Sequence, residues 1–176
     1  PQIHTRDGVD GEGTYIDDGG FEVGAGATPW TLGASASLVA TSPHQGAQCL
    51  RVADTSGAAE LVAATNKQFL VVPGQTLQVS AWAKRGATAP TGQMYMGLRW
   101  RNAAGTDLTG PADYFSLGST PTWENTTLPF APPSAAVTAE FVVLTRFQSS
   151  GEYFVDSVVI QASAADGAPG NDAQTL

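Results

Sequence analysis

The chain has 176 residues, a formal net charge of −8, one Cys and two His. That length fits one domain, which buries roughly 70% of its unfolded surface without covalent staples. The acidic balance, with no basic cluster, excludes an electrostatic footprint for nucleic acid or an anionic membrane, the single Cys49 excludes an internal disulfide, so few Cys and His argue against a zinc site, and no apolar run approaches the roughly 20 residues of a membrane span.

Residues 1–19 form a polar arm rich in Gly and Asp, and residues 162–176 form a second such tail. The acidic stretch Asp7 to Glu12 lacks the spacing of an EF-hand loop. The first residues, Pro1 to Arg6, lack the apolar stretch of a signal peptide. Segments of this composition do not fold alone. At least one arm is therefore expected to lie across a neighbouring subunit of an oligomer or larger assembly, anchored by residues such as Ile3, Tyr15 or Leu176.

Between the arms, residues 20–161 carry strand-like runs separated by turn signals. They fall near 21–24, 35–40, 47–53, 60–64, 67–72, 76–84, 93–101, 113–117, 123–130, 137–147 and 152–161. Most of the 20 Gly and 11 Pro lie between them. No amphipathic helix of ten residues and no internal repeat is visible. Many short strands with such punctuation predict an all-β fold, a jelly-roll β-sandwich of two antiparallel sheets.

The faces of several strands can be read from alternation. In the run from Leu77 to Lys84, Leu77, Val79, Ala81 and Ala83 take one face and Gln78, Ser80, Trp82 and Lys84 the other. A tryptophan among polar neighbours suggests a surface that binds something flat and partly apolar, unless a loop or partner chain covers it. In the run from Met94 to Arg101 the apolar set is Met94, Met96, Leu98 and Trp100, and Tyr95, Gly97, Arg99 and Arg101 fall opposite. If these two strands pair, Trp82, Lys84, Tyr95 and Arg99 share one exposed face. Gly97 would leave a gap there for a ligand or mark a bulge. Phe141, Val143 and Thr145 alternate with Val142, Leu144 and Arg146, so that strand reads as buried on both sides. Trp30, Trp100 and Trp123 are assigned to core or edge packing. Cys49 falls in a strand and reads as inert.

Catalysis finds little support. Glycoside hydrolysis needs two carboxylates at a set separation, and nothing brings Glu140 and Asp113 together. No nucleophile elbow or Ser-His-Asp order is present. Asn125-Thr126-Thr127 is a formal glycosylation acceptor of a kind common by chance.

Six segments in order carry a family resemblance. They are Gly20-Phe21-Glu22 with Pro29-Trp30, then Gly46 to Val52, then Pro73 to Lys84, then Leu98-Arg99-Trp100, then Thr122-Trp123 with Phe130-Ala131-Pro132-Pro133, and finally Val155 to Ile160. Together they resemble the carbohydrate-binding modules of the xylan-, cellulose- and laminarin-binding type, over roughly residues 19–161. The resemblance implies a jelly roll with a concave face and a structural calcium. By position, calcium would be held by the Gly20 carbonyl, the Glu22 carboxylate, a carbonyl near Gly46–Gln48, and Asp156; carboxylates and carbonyls are the hard oxygen donors this ion takes. For a glycan, Trp82 and Tyr95 would stack on sugar rings, and Arg99, Lys84 and Gln78 would bond hydroxyls. The full aromatic set of a deep cleft is missing.

The expected function is that of a non-catalytic bacteriophage virion surface protein, a capsid decoration, tail or fibre component, presenting this module for particle assembly or host-surface attachment. A single module without a catalytic domain, the lack of a visible export signal and the polar arms favour it. The alternative is a glycan-binding module of a secreted bacterial polysaccharide-degrading enzyme.

Overall fold

The computed structural model describes residues 15–23 and 29–163. Among these residues, eleven strands form two antiparallel sheets packed face to face. The front sheet contains β1 (Thr31–Leu32), β4 (Leu61–Thr65), β10 (Thr138–Arg146), β7 (Gln93–Arg101) and β8 (Tyr114–Ser116) in that spatial order, and β5 (Phe69–Leu70) also pairs with β10. The back sheet runs β2 (Ala36–Val39), β3 (Cys49–Val52), β11 (Tyr153–Ala162), β6 (Leu77–Arg85) and β9 (Glu124–Phe130). This is the jelly-roll sandwich expected from the turn spacing.

Alternation builds the core. Leu77, Val79, Ala81 and Ala83 of β6 point inward, as do Met94, Met96, Leu98 and Trp100 of β7, and none is more than 1% exposed. Phe141 and Val143 of β10 and Val155 and Ile160 of β11 meet them in one cluster. β10 is buried on both sides as expected: its outward Val142 and Leu144 are also fully covered. On area grounds each such side chain contributes roughly 1.5–3 kcal/mol.

Two expectations about the strands are corrected. β6 and β7 do not pair. β6 lies between β11 and β9, whereas β7 lies between β10 and β8 in the other sheet. Their apolar rows face each other across the core, so their polar rows face opposite ways. Trp82, Lys84 and Gln78 therefore stand on the back surface, and Tyr95 and Arg99 on the front. Alternation reveals which face is buried, but two strands facing across a core alternate just as two neighbours do.

The second correction concerns residues 21–24. Phe21 is not in a strand; it adopts a left-handed backbone with φ of 58° and is completely buried. Its ring packs on Trp30 at 4.6 Å. The Asp18 carboxylate accepts the N–H groups of Glu22 and Val23, which closes the turn. Thr31–Leu32, not foreseen as a strand, pairs with β4.

The last part of the N-terminal arm belongs to the sandwich. Tyr15 N–H donates to the Ile160 carbonyl at 2.8 Å, Val158 N–H donates to Gly19, and Ile16 is buried. Tyr15, expected to anchor on a neighbour, packs its ring at a tilt against Phe69 of its own domain, with centroids 5.1 Å apart. Ile3, Leu176 and the rest of both arms lie outside the described residues.

Candidate functional site

The front surface is organised by the regular register of β7 and β10, which pairs Arg99 with Glu140, Tyr95 with Leu144 and Gln93 with Arg146. Outward side chains from both strands thus form rows. Arg146 is fixed by Glu60, with Nη2 at 2.8 Å and Nε at 3.1 Å from one carboxylate oxygen. The hydrogen bond that Arg146 donates to Glu60 holds its pKa above the ordinary value. Its guanidinium lies 4.9 Å from the centre of the Tyr95 ring and 6.0 Å from that of Tyr114. The Tyr95 hydroxyl donates to Gln93.

Farther along the same surface, Glu140 Oε1 accepts from Arg101 at 3.1 Å and from Arg99 at 3.4 Å. Arg99 also faces Asp107 at 3.6 Å. Burial acts to raise the Asp107 pKa, but hydrogen bonds from Thr109 and the nearby Arg99 and Arg101 outweigh it, so the group is held low. Burial pushes the Tyr114 phenol up, opposed by its hydrogen bond with Arg99. Gly97 leaves no gap for a ligand. A β-carbon there would stand 1.9 Å from the Asp113 carbonyl oxygen, so the chain entering β8 fills the space. Glu140 is committed to two arginines, and the Asp113 carboxylate accepts Gly110 N–H at 2.6 Å.

The back surface carries a different group. The His44 ring stacks on Trp82 at 3.9 Å, and Trp123 meets His44 edge-on at 5.6 Å. Lys84 Nζ lies 4.8 Å from the Trp123 ring centre and 5.4 Å from that of Phe154. Gln78 sits two residue pairs beyond Ser80's neighbour Trp82 along β6, opposite Gln161 and Pro129. The five residues expected to form one glycan face are thus divided between two surfaces. Of the tryptophans assigned to packing, Trp30 and Trp100 are core residues, whereas Trp123 is half-buried on this back surface.

Three segments expected to surround calcium do converge. Gly19 bonds Val158, Glu22 reaches residues 47 and 48, and Asp156 reaches residues 44 and 45. The chemistry is that of carboxylates satisfied by amides. Both Glu22 oxygens accept Ala47 N–H, and Oε1 also accepts Gln48 N–H. Asp156 Oδ2 accepts N–H from His44 at 2.7 Å and Gln45 at 3.1 Å, and Oδ1 accepts Ser157 N–H. Burial raises the Asp156 pKa, and these bonds only partly oppose it. Inward-pointing N–H groups carry the wrong partial charge for a cation that needs six or more oxygens. No group of three or more His, Cys, Asp and Glu is close enough to hold a metal among the described residues. As placed, Gly20, Glu22 and Asp156 do not fit calcium. Cys49 is buried, and burial beside Asp156 pushes its pKa up to about 11, which keeps it an inert thiol.

A family model described as a carbohydrate binding domain matches residues 13–151. The chain belongs to this family. No curated protein sequence matches it. Among solved structures, the module is similar to the C-terminal family 22 carbohydrate binding module of Clostridium thermocellum Xyn10B, at 19% identity and a TM-score of 0.61, covering 85% of this chain and 97% of that one. It is similar to an arabinose-bound GH51 α-L-arabinofuranosidase at 18% identity and a TM-score of 0.65, covering 85% of this chain but 26% of the enzyme. It is also similar to the enzymatically active domain of tailspike protein 4 of bacteriophage CBA120, at 16% identity and a TM-score of 0.61, covering 82% of this chain and 20% of that one. These likenesses establish the sandwich fold of the module.

Alternation in β7 placed Tyr95 and Arg99 on the outward face of that strand. It missed Arg146, because a strand buried on both faces gives no parity, and it missed Glu60 and Tyr114, which come from separate elements. His44 lies in the turn before β3, and no local pattern points it at Trp82.

Proposed function

We propose that this chain is a non-catalytic module that binds a polysaccharide on its front surface, across Tyr95, Tyr114, Arg146 and Glu60. The observation that carries this reading is the Arg146 guanidinium, held by Glu60 and seated against two half-buried tyrosine rings. Sugar rings offer apolar C–H faces that stack on aromatics, and hydroxyls that accept from a fixed guanidinium or donate to a carboxylate. A tyrosine face covered by a sugar contributes roughly 1–3 kcal/mol on area grounds. Arg99, Arg101 and Glu140 bind one another and support this platform. Affinity electrophoresis with xylan, soluble cellulose derivatives and laminarin tests the reading. Retardation by at least one polymer, lost in Tyr95→Ala and Arg146→Ala with the melt little changed, supports it. A folded protein that binds none of the three, nor surface polysaccharide from candidate bacterial hosts, overturns it.

The carrier proposed for the module is a bacteriophage virion, with the domain on the particle surface for assembly or host attachment. The likeness to part of a tailspike supports this at the level of fold. The likeness to part of an arabinofuranosidase supports the other carrier, a secreted polysaccharide-degrading enzyme. Mass spectrometry of purified phage particles separates them: the chain at stoichiometric occupancy supports the virion, and its recovery joined to a catalytic domain in culture medium supports the enzyme.

A further inference from the structure

The back surface offers a second constellation that the front platform does not use. Trp82 is not its contact surface, because His44 covers the indole in a near-parallel stack, 17° between planes. That cover is fixed: His44 N–H donates to Asp156 at 2.7 Å, and the imidazole lies 3.4 Å from the Ser157 hydroxyl. Trp123 meets the stack at 67°, so its ring stands out of the stack and stays half-exposed. Beside it is the Lys84 ammonium.

Lys84 differs from the arginines of the described residues. Each arginine among the described residues has a carboxylate or carbonyl acceptor. Lys84 has only the faces of Trp123 and Phe154 among those residues. The neighbouring acids are spent elsewhere. Asp156 is buried under N–H groups from residues 44, 45 and 157, and Glu124 is bonded to the N–H groups of Gly118 and Ser119. An ammonium with no carboxylate partner among the described residues thus lies against a half-exposed indole, on a chain with 16 acidic and eight Lys and Arg residues.

We propose that Trp123 and Lys84 form a second carbohydrate contact, specific for an acidic sugar. The C–H face of a uronate residue would lie on Trp123, and its carboxylate would pair with Lys84. The contact is on the opposite surface from Tyr95 and Arg146, so one module could hold two glycan chains at once. The inference extends the glycan-binding reading without using its residues.

The test is calorimetric titration of the whole chain with tetragalacturonic acid and, separately, with neutral oligosaccharides of xylan and laminarin. Lys84→Ala is expected to weaken tetragalacturonate binding about tenfold or more, Lys84→Arg to restore most of it, and added salt to weaken it in the native protein. Trp123→Ala should do the same as Lys84→Ala, while Tyr95→Ala should leave it intact. If Lys84→Ala keeps its fold by circular dichroism and binds the uronate as well as the native chain, the inference is wrong. Native protein that binds neutral glycans but not tetragalacturonate also overturns it, and leaves the front platform standing. Uronate binding with no neutral binding supports the back contact and removes the front one.

Discussion

The imidazole of His44 lies flat on the indole of Trp82, with ring centres 3.9 Å apart. This contact joins the turn before β3 to the middle of β6, and it changes what Trp82 does. A ring expected to await a sugar instead holds down a loop of its own protein. Trp82 is half-buried, so Trp82→Ala should lower unfolding free energy by about 2–3 kcal/mol in urea titrations, somewhat less than truncation of a fully buried aromatic. His44→Ala should cost about 1 kcal/mol, and the double mutant should show coupling of about 0.5–1.5 kcal/mol. Additive effects would show that the two rings do not support one another.

Asp54 gives the sandwich a defined acid response. It is buried and accepts from Thr145 Oγ1 at 2.7 Å and Ser56 N–H at 2.8 Å. Burial acts to raise its pKa, and the bonds from Ser56 and Thr145 outweigh that, so the folded value lies below the ordinary one. The unfolded chain then binds the proton more tightly. The stability contributed by Asp54 is fully present above about pH 4, the unfolded value, and is lost as pH falls through the depressed folded value. Asp156 works in the opposite sense, since its folded value is raised: its contribution is present at low pH and lost as pH rises through that value. Asp54→Ala should cost about 1–3 kcal/mol at pH 7, because Thr145 is left buried without an acceptor. Urea titrations from pH 2 to 7 should show the variant losing less stability on acidification than the native protein.

Gly97 fixes the path of the chain into β8. A β-carbon there would lie 1.9 Å from the Asp113 carbonyl oxygen and 2.9 Å from Tyr114 Cα. Both are backbone atoms, so no side chain can swing aside. Gly97→Ala should cost about 1–3 kcal/mol and displace Tyr114 from Arg146. Thermal melts and polysaccharide retardation measured together check this. Unchanged stability would mean that the segment at 110–114 is free to move.

The strands were legible because alternation and turn residues act over a few neighbours. The inward rows Leu77 to Ala83 and Met94 to Trp100 follow directly from that local signal. Which strands adjoin is a long-range matter, and the apolar rows of β6 and β7 would look the same whether side by side or face to face. That ambiguity placed Trp82 and Tyr95 on one surface when they occupy two. The run near 21–24 reads as a strand, whereas the left-handed turn at Phe21 is set by Asp18 and by packing on Trp30, contacts that no local pattern shows. The convergence of Glu22, residues 46–48 and Asp156 was legible through family resemblance; the contacts of residues 44 and 45 with Asp156 were not. The direction of the backbone amides between them was not, because it depends on the conformation of a loop without a repeating pattern.

That loop carries the last prediction. Residues 44, 45, 47 and 48 direct N–H groups at Asp156 and Glu22, so the amides do the neutralising that a cation would otherwise supply. Gly46, between the two pairs, has φ of 67°, and a β-carbon there would sit 2.0 Å from Glu22 Oε1. Excess EDTA should leave the melting temperature within about 1 °C of its value in millimolar calcium, because an ion that does not bind the folded state adds no linkage free energy. Glu22→Ala should lower stability by about 0.5–1.5 kcal/mol through loss of the bonds to Ala47 and Gln48, by the same amount with or without calcium. A melt several degrees lower in EDTA, abolished by Glu22→Ala, would mean that the loop turns its carbonyls inward around an ion, and the amide account of this junction would fail.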